Sequence, residues 1–66
     1  MKVTTLIFNN GMSLNRVFNI NGLLIPRFGN DTQGALRFKN DADAQAVLDT
    51  LDLNMRNTCS LQHFVF

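Results

Sequence analysis

The chain has 66 residues, of which 45% are hydrophobic and 17% are charged, and its formal net charge at pH 7 is +1. This length and composition exclude a two-domain or disordered chain and predict one domain over residues 1–66. The net charge is also too small for a dedicated nucleic-acid binder, which carries a large excess of basic residues. The single cysteine excludes an internal disulfide, so we expect a domain this small to gain stability by association.

A spacing of ten residues runs through the first part of the chain. An apolar run ends and a turn-forming cluster begins at Phe8-Asn9, Phe18-Asn19, Phe28-Gly29 and Phe38-Lys39. Turn signals every 8 to 12 residues or so, between β-rich runs, are typical of consecutive antiparallel strands. The pattern therefore predicts a β-meander.

Two of the turns contain Asn-Gly pairs, Asn10-Gly11 and Asn21-Gly22. This dipeptide favours the positive φ angles of a two-residue type I′ loop, and such a loop sets the register of its strands. Counting outward from both loops places Arg16 opposite Arg27. The predicted core face then carries Val3, Ile7, Leu14, Phe18, Ile20, Leu23 and Ile25. The opposite face carries Leu6, Phe8, Val17, Leu24, Pro26 and Phe28.

The remaining apolar runs are predicted as two further strands. Pro26 lacks an N–H and predicts an edge position for the third strand. The fourth run, Ala35 to Lys39, is therefore expected to pair elsewhere, beside the first strand. The last run, Leu61 to Phe66, is predicted as the final strand.

Helical periodicity replaces strand periodicity after Lys39. Asn40 or Asp41 is predicted to cap a helix from about Asp41 to Leu53. The apolar positions at helical spacing are Ala44, Val47, Leu48, Leu51 and Met55. The residues predicted to break this helix are Asn54, Asn57 and Thr58. The predicted fold class is α+β: an antiparallel β-meander sheet of four to five strands, in the element order ββββαβ, with one helix packed on one face.

Catalytic and metal chemistry have little support in the sequence. Nucleophilic catalysis needs a nucleophile with a base in hydrogen-bond reach, and Cys59 and His63 form the one candidate pair. On a single strand they would share a side but lie roughly 13 Å apart, too far for proton transfer. One cysteine and one histidine are also too few for a zinc site. We therefore predict no enzyme activity, no cofactor and no metal.

The expected location is cytoplasmic, with no membrane contact. The first apolar run is too short, and its apolar and polar residues alternate too regularly, for the apolar region of a signal peptide. No apolar run approaches the roughly 18 residues of a membrane-spanning helix.

The predicted pairing of Arg16 with Arg27 suggests an anion site. Like charges directly opposite each other are destabilising unless solvent or an anion separates them. A phosphate or a partner's carboxylate would suit the bidentate geometry of arginine. The alternative interpretation is that both side chains extend into water.

An excess of apolar side chains on the second sheet face predicts a protein partner. One helix cannot cover both faces, and a contiguous exposed apolar face usually marks an interaction site. The predicted function is a non-enzymatic protein-binding module, self-associating or docking on a larger protein as an accessory or inhibitory factor. The predicted partner-binding residues are Leu6, Phe8, Val17, Leu24 and Phe28, with Arg16 and Arg27.

Two alternatives stay open at this point. A misread loop or a curled sheet would turn the second apolar face inward. The alternative function is weak nucleic-acid binding by a basic sheet surface. Its residues would be Lys2, Arg16, Arg27, Arg37 and Lys39.

Overall fold

The computed structural model describes residues 2–65, which contain four strands and two short helices. The strands are β1 (Val3–Asn9), β2 (Met12–Ile20), β3 (Leu23–Gly29) and β4 (Cys59–Val65), and the helices are α1 (Asp41–Leu48) and α2 (Leu53–Thr58). The strands form one antiparallel sheet in the order β3-β2-β1-β4. The predicted α+β class with a β-meander is therefore confirmed.

Both Asn-Gly loops adopt the predicted conformation. The φ angles are 53° at Asn10 and 79° at Gly11, and 54° at Asn21 and 84° at Gly22. Residue 9 consequently pairs with residue 12, and residue 20 with residue 23, as predicted. The Asn19 side chain supports the second loop by accepting a hydrogen bond of 3.0 Å from the Gly22 N–H.

A β-bulge at Asn15 changes the register in the middle of β2. Leu14 pairs with Phe28, whereas Arg16 pairs with Arg27, so Asn15 is an extra residue without a partner in β3. One inserted residue moves the following side chains of β2 to the other face. The predicted face assignment is consequently wrong for β2 beyond the bulge and for all of β3.

β1 and β2 separate soon after their loop. They pair at two positions, Phe8 with Ser13 and Asn9 with Met12. Farther along, the Thr5 and Phe38 backbones exchange two hydrogen bonds of 3.0 Å. The run from Ala35 to Lys39, predicted as the fourth strand, thus forms a single bridge beside β1.

The distal part of the β2–β3 hairpin extends beyond the bulge as a two-stranded arm, comprising residues 16–27. Its strands pair with each other from the arginine pair to the Asn21-Gly22 loop. Within residues 2–65, no other strand pairs with the arm. The molecule is correspondingly elongated, with extents of 38 × 23 × 20 Å.

The core lies between the sheet and the helices. It consists of Ile7, Leu14, Ala44, Leu48 and Leu51, with Val17, Phe28, Phe38, Val47, Met55, Cys59 and Leu61 packed against it. All the predicted apolar helix positions take part. Val17 and Phe28, however, belong to the side that contacts the core, because the bulge has exchanged the two faces.

The predicted single helix is divided in two. Asn40 caps α1 as predicted, its side chain accepting a hydrogen bond of 2.9 Å from the Asp43 N–H. The helix ends at Leu48, five residues before the predicted end at Leu53.

A second helix occupies the predicted breaking residues, so that prediction is wrong. Met55 packs against the core from inside α2, which outweighs the weak helix propensity of its asparagines. β4 begins at Cys59, two residues before the predicted Leu61, and pairs with β1 from Asn9 to Val3. Phe66, the predicted end of the last strand, lies outside the described residues.

Candidate functional site

Six side chains share one face of the arm, and we call this surface the arm face. Residues directly opposite each other in an antiparallel pair lie on the same side of a sheet. The cross-strand pairs on this face are Arg16 with Arg27, Phe18 with Ile25, and Ile20 with Leu23. The arm face is therefore apolar toward its tip and cationic at its base.

The apolar part of the arm face is open to solvent. Phe18 is 41% exposed, Ile20 is 55% exposed and Leu23 is 65% exposed, while Ile25 is half-buried. Single exposed hydrophobic residues are common on protein surfaces, but a contiguous group is characteristic of an interaction site. The arm face has this contiguous arrangement.

The two arginines at the base of the arm face are exposed and directly opposed. Within residues 2–65, neither Arg16 nor Arg27 lies within ion-pair distance of a carboxylate; the contacts of this kind are those of Arg56 with Asp49 and, as a hydrogen bond, of His63 with Asp41. Their guanidinium groups are thus placed to receive a carboxylate from outside.

The other predicted binding residues lie elsewhere. Leu6 is completely buried. Phe8 and Phe64 stack with ring centroids 5.6 Å apart, from strand positions on either side of Leu6. This geometry requires both rings to lean over Leu6. The β1 part of the predicted docking face is therefore covered within the chain itself.

On the arm, the predicted apolar set and the exposed set occupy opposite faces. Val17 on the arm and Phe28 next to it pack against the core, and Leu24 is half-buried on their side. Of the seven predicted residues, Arg16 and Arg27 alone lie on the arm face. The available signal was the polar pair Asn15-Arg16, which interrupts the alternation of β2, as one inserted residue does.

Sequence reasoning did not find a polar cluster at the start of α1. The Thr5 hydroxyl donates to Asp41 Oδ1 at 2.8 Å, and His63 Nε2 lies 2.7 Å from the same oxygen. The hydrogen bonds from His63 and from Thr5 lower the pKa of Asp41 below its usual value. The cluster connects α1 to both β1 and β4.

This cluster does not have the geometry of a catalytic triad. In a triad the nucleophile is hydrogen-bonded to the histidine, and the carboxylate orients that histidine from its far side. Here Thr5 donates to the carboxylate, which accepts from both partners. Its hydroxyl proton is therefore directed to the carboxylate of Asp41 and not to the imidazole of His63.

Cys59 and His63 both lie on β4, four positions apart. Partial burial raises the pKa of the Cys59 thiol, which disfavours the reactive thiolate. Within the described residues there is no group of three His, Cys, Asp or Glu side chains that could hold a metal ion. None of the helices in that part of the chain has the length and apolar character needed to cross a membrane.

Comparison with known proteins finds no matching protein family, curated protein or solved structure. A functional proposal for this chain therefore depends on the chemistry of its own surfaces. The arm face combines an exposed apolar group with two directly opposed cations.

Proposed function

We propose that this chain is a small, non-enzymatic protein-binding module that docks through the arm face on a larger protein, as an accessory or inhibitory factor. The observation that carries the proposal is the row of Phe18, Ile20 and Leu23, exposed on a ribbon that no other described strand joins. A two-stranded ribbon is marginal in water, so its apolar face gains stability when it is covered.

The arm face indicates the chemistry of its partner. Covering a half-exposed Phe, Ile or Leu side chain contributes about 1 kcal/mol, roughly half the value for complete burial. Three such side chains offset part of the cost of association, and the rest must come from polar contacts. A carboxylate beside Arg16 and Arg27 would supply them and would relieve the repulsion between the two cations.

A larger protein fits this chemistry better than a second copy of the chain. Two arm faces in contact would bring four arginines into one interface. The acidic residues of this chain lie outside the arm, at Asp31, Asp41, Asp43, Asp49 and Asp52. Such a pairing therefore provides no carboxylate from the arm for the guanidinium groups.

The test compares two exposed leucines. Leu23 lies on the arm face and is 65% exposed, and Leu53 lies at the start of α2 and is 60% exposed. The wild-type chain, Leu23→Asp and Leu53→Asp are immobilised and used to capture proteins from nuclease-treated lysate, and the captured protein is then purified and titrated against each. We expect Leu23→Asp to weaken binding at least tenfold and Leu53→Asp to leave it unchanged.

Two results would contradict the proposal. One is equal binding by the wild-type chain and Leu23→Asp. The other is binding that disappears between 50 and 200 mM salt, because apolar docking changes little over this range whereas phosphate-driven binding is lost. Light scattering on the same samples tests self-association, since a wild-type dimer that Leu23→Asp converts to a monomer would identify a second copy as the occupant.

A further inference from the structure

Three basic residues surround a pocket on a different part of the molecule from the arm. The pocket has a volume of about 290 Å³ and is lined by Lys2, Thr4, Arg37, Phe38 and Lys39. Among the described residues, no acidic side chain lines it. Its volume lies just below the roughly 300–1,000 Å³ of drug-sized ligand sites, which suits a compact ligand.

The bridge between Thr5 and Phe38 explains why the basic residues of the segment around Phe38 lie beside the start of β1. Both bridge residues face the helices, since the Thr5 hydroxyl donates to Asp41 and Phe38 packs against the core. Side chains alternate along an extended backbone, so the neighbours of the bridge residues point to the opposite face of the sheet. Arg37 and Lys39 are therefore brought onto the same face as Thr4.

The aspartate nearest in sequence is held away from the pocket. Asp41 follows Lys39 by two residues, but its side chain is engaged on the helix side by Thr5 and His63. Neither Lys2 nor Lys39 takes part in an ion pair with any residue in the range 2–65. The two ammonium groups are thus placed to balance the charge of an incoming anion.

Thr4 adds a hydroxyl group to the lining of the pocket. Although the residue as a whole is 6% exposed, its hydroxyl oxygen is not among the buried polar atoms that lack a partner and is therefore accessible from the pocket. A ligand oxygen in the pocket would accept the Thr4 proton while the surrounding cations balance its charge.

The geometry points to a binding site for a phosphate group in this pocket, held by Lys2 and Lys39 with Arg37 beside them and hydrogen-bonded by Thr4. This site goes beyond the proposed docking function and uses none of the residues of the arm face. The phosphate could belong to a free phosphorylated compound or to a nucleic-acid strand, and the two sources differ in how many contacts they make.

The experiment is an NMR titration of the full chain with inorganic pyrophosphate and, separately, with a ten-nucleotide single strand of thymidine. We expect saturable amide shifts at residues 2–4 and 37–39 with pyrophosphate. Lys39→Gln and Lys2→Gln should each weaken binding of the ten-nucleotide strand about fivefold at 0.1 M salt, the effect of losing one phosphate contact on a single strand, and should weaken pyrophosphate binding as well. Arg27→Gln is the matched control, because it removes the same charge from the arm and leaves the pocket intact.

The two sources are distinguished by affinity and salt dependence. A nucleic-acid strand should bind more tightly than pyrophosphate, and its affinity should fall about 20-fold between 50 and 200 mM salt if three contacts are made. Equal or tighter binding of pyrophosphate would identify a free phosphorylated compound. The site is overturned if pyrophosphate causes no saturable shift, or if Arg27→Gln weakens binding as much as Lys39→Gln.

Discussion

The base of the sheet and the arm are built from similar residues but differ in what covers them. At the base, helices α1 and α2 close over Ile7 and Leu14, which are completely buried. On the arm, Phe18, Ile20 and Leu23 continue the alternation of apolar residues, but they are exposed, and no third described strand joins the two of the arm. Alternation alone therefore identifies a strand, whereas its surroundings decide whether the apolar face becomes core or surface.

The bulge at Asn15 is the boundary between the two regions. Before it, the even-numbered residue Leu14 faces the core; after it, the odd-numbered residue Val17 does. One additional residue thus directs Phe18 and Ile20 outward. Val17 at the base of the arm and Phe28 immediately beyond it pack against the core and connect the arm to the rest of the sheet.

Truncating a leucine in each region should give the largest difference in stability. Leu14→Ala is expected to lower the free energy of unfolding by about 3 kcal/mol, because it removes buried methyl groups and leaves a cavity. Leu23→Ala should change it by less than about 0.5 kcal/mol, because the side chain is mainly solvated. Urea denaturation followed by circular dichroism measures both.

A small domain could unfold completely on losing Leu14. Ile7→Val, at another completely buried position, then provides a milder comparison, with an expected loss of about 1 kcal/mol. Equal losses for Ile7→Val and Leu23→Ala would show that the arm contributes to the core, and the proposed distinction between the regions would be wrong.

The sequence predicted the local structure well wherever backbone chemistry decides it. Asn-Gly pairs determine both loops, and the Asn40 cap determines the start of α1. The bulge at Asn15 was missed because it occurs where β2 separates from β1 and the segment around Phe38 takes the place of β2 beside β1. That departure is a tertiary effect, and its trace in the sequence is one interruption of the alternation.

The same cause explains the result for the candidate site. The pairing of Arg16 with Arg27 was predictable, since both lie between the second loop and the bulge. The apolar residues that share a face with these arginines could not be predicted, because the bulge exchanges the two faces of the arm. The phosphate pocket depends on the long-range contact between Thr5 and Phe38, which periodicity does not reveal.

Replacing the glycine in each loop should show how the two regions open. Gly11 and Gly22 both have positive φ, and a Cβ added at either would meet no atom within 4 Å, so alanine costs about 1 kcal/mol of backbone strain at each site. Gly11→Ala should lower global stability, because its loop joins β1 to β2 beside the core. Gly22→Ala should instead increase hydrogen exchange at arm amides while those of β1 stay protected.

The glycine comparison has a clear contradicting result. If Gly22→Ala accelerates exchange in β1 as much as in the arm, the arm and the base unfold as one unit. If Gly11→Ala affects the arm alone, the loop next to the core contributes nothing to the cooperative unfolding of the base.

The smallest effect is expected from the carboxylate that connects α1 to the base. Because the pKa of Asp41 is lowered in the folded chain, its charged form stabilises the fold at pH values above the usual aspartate pKa. This contribution is lost as the pH falls through the lowered pKa of the folded state. Asp41→Asn should therefore be less stable than the wild type at neutral pH, and the two should converge under acidic conditions in thermal unfolding followed from pH 7 downward.

A second aspartate in α1 separates the Asp41 cluster from the general effect of an acid at a helix start. Asp43→Asn removes a carboxylate from the same helical turn without the contacts to Thr5 and His63. If its difference from the wild type has the same size and pH dependence as that of Asp41→Asn, the effect belongs to the helix dipole and not to the Asp41 cluster. A larger difference for Asp41→Asn assigns the excess to the hydrogen bonds that connect α1 to β1 and β4.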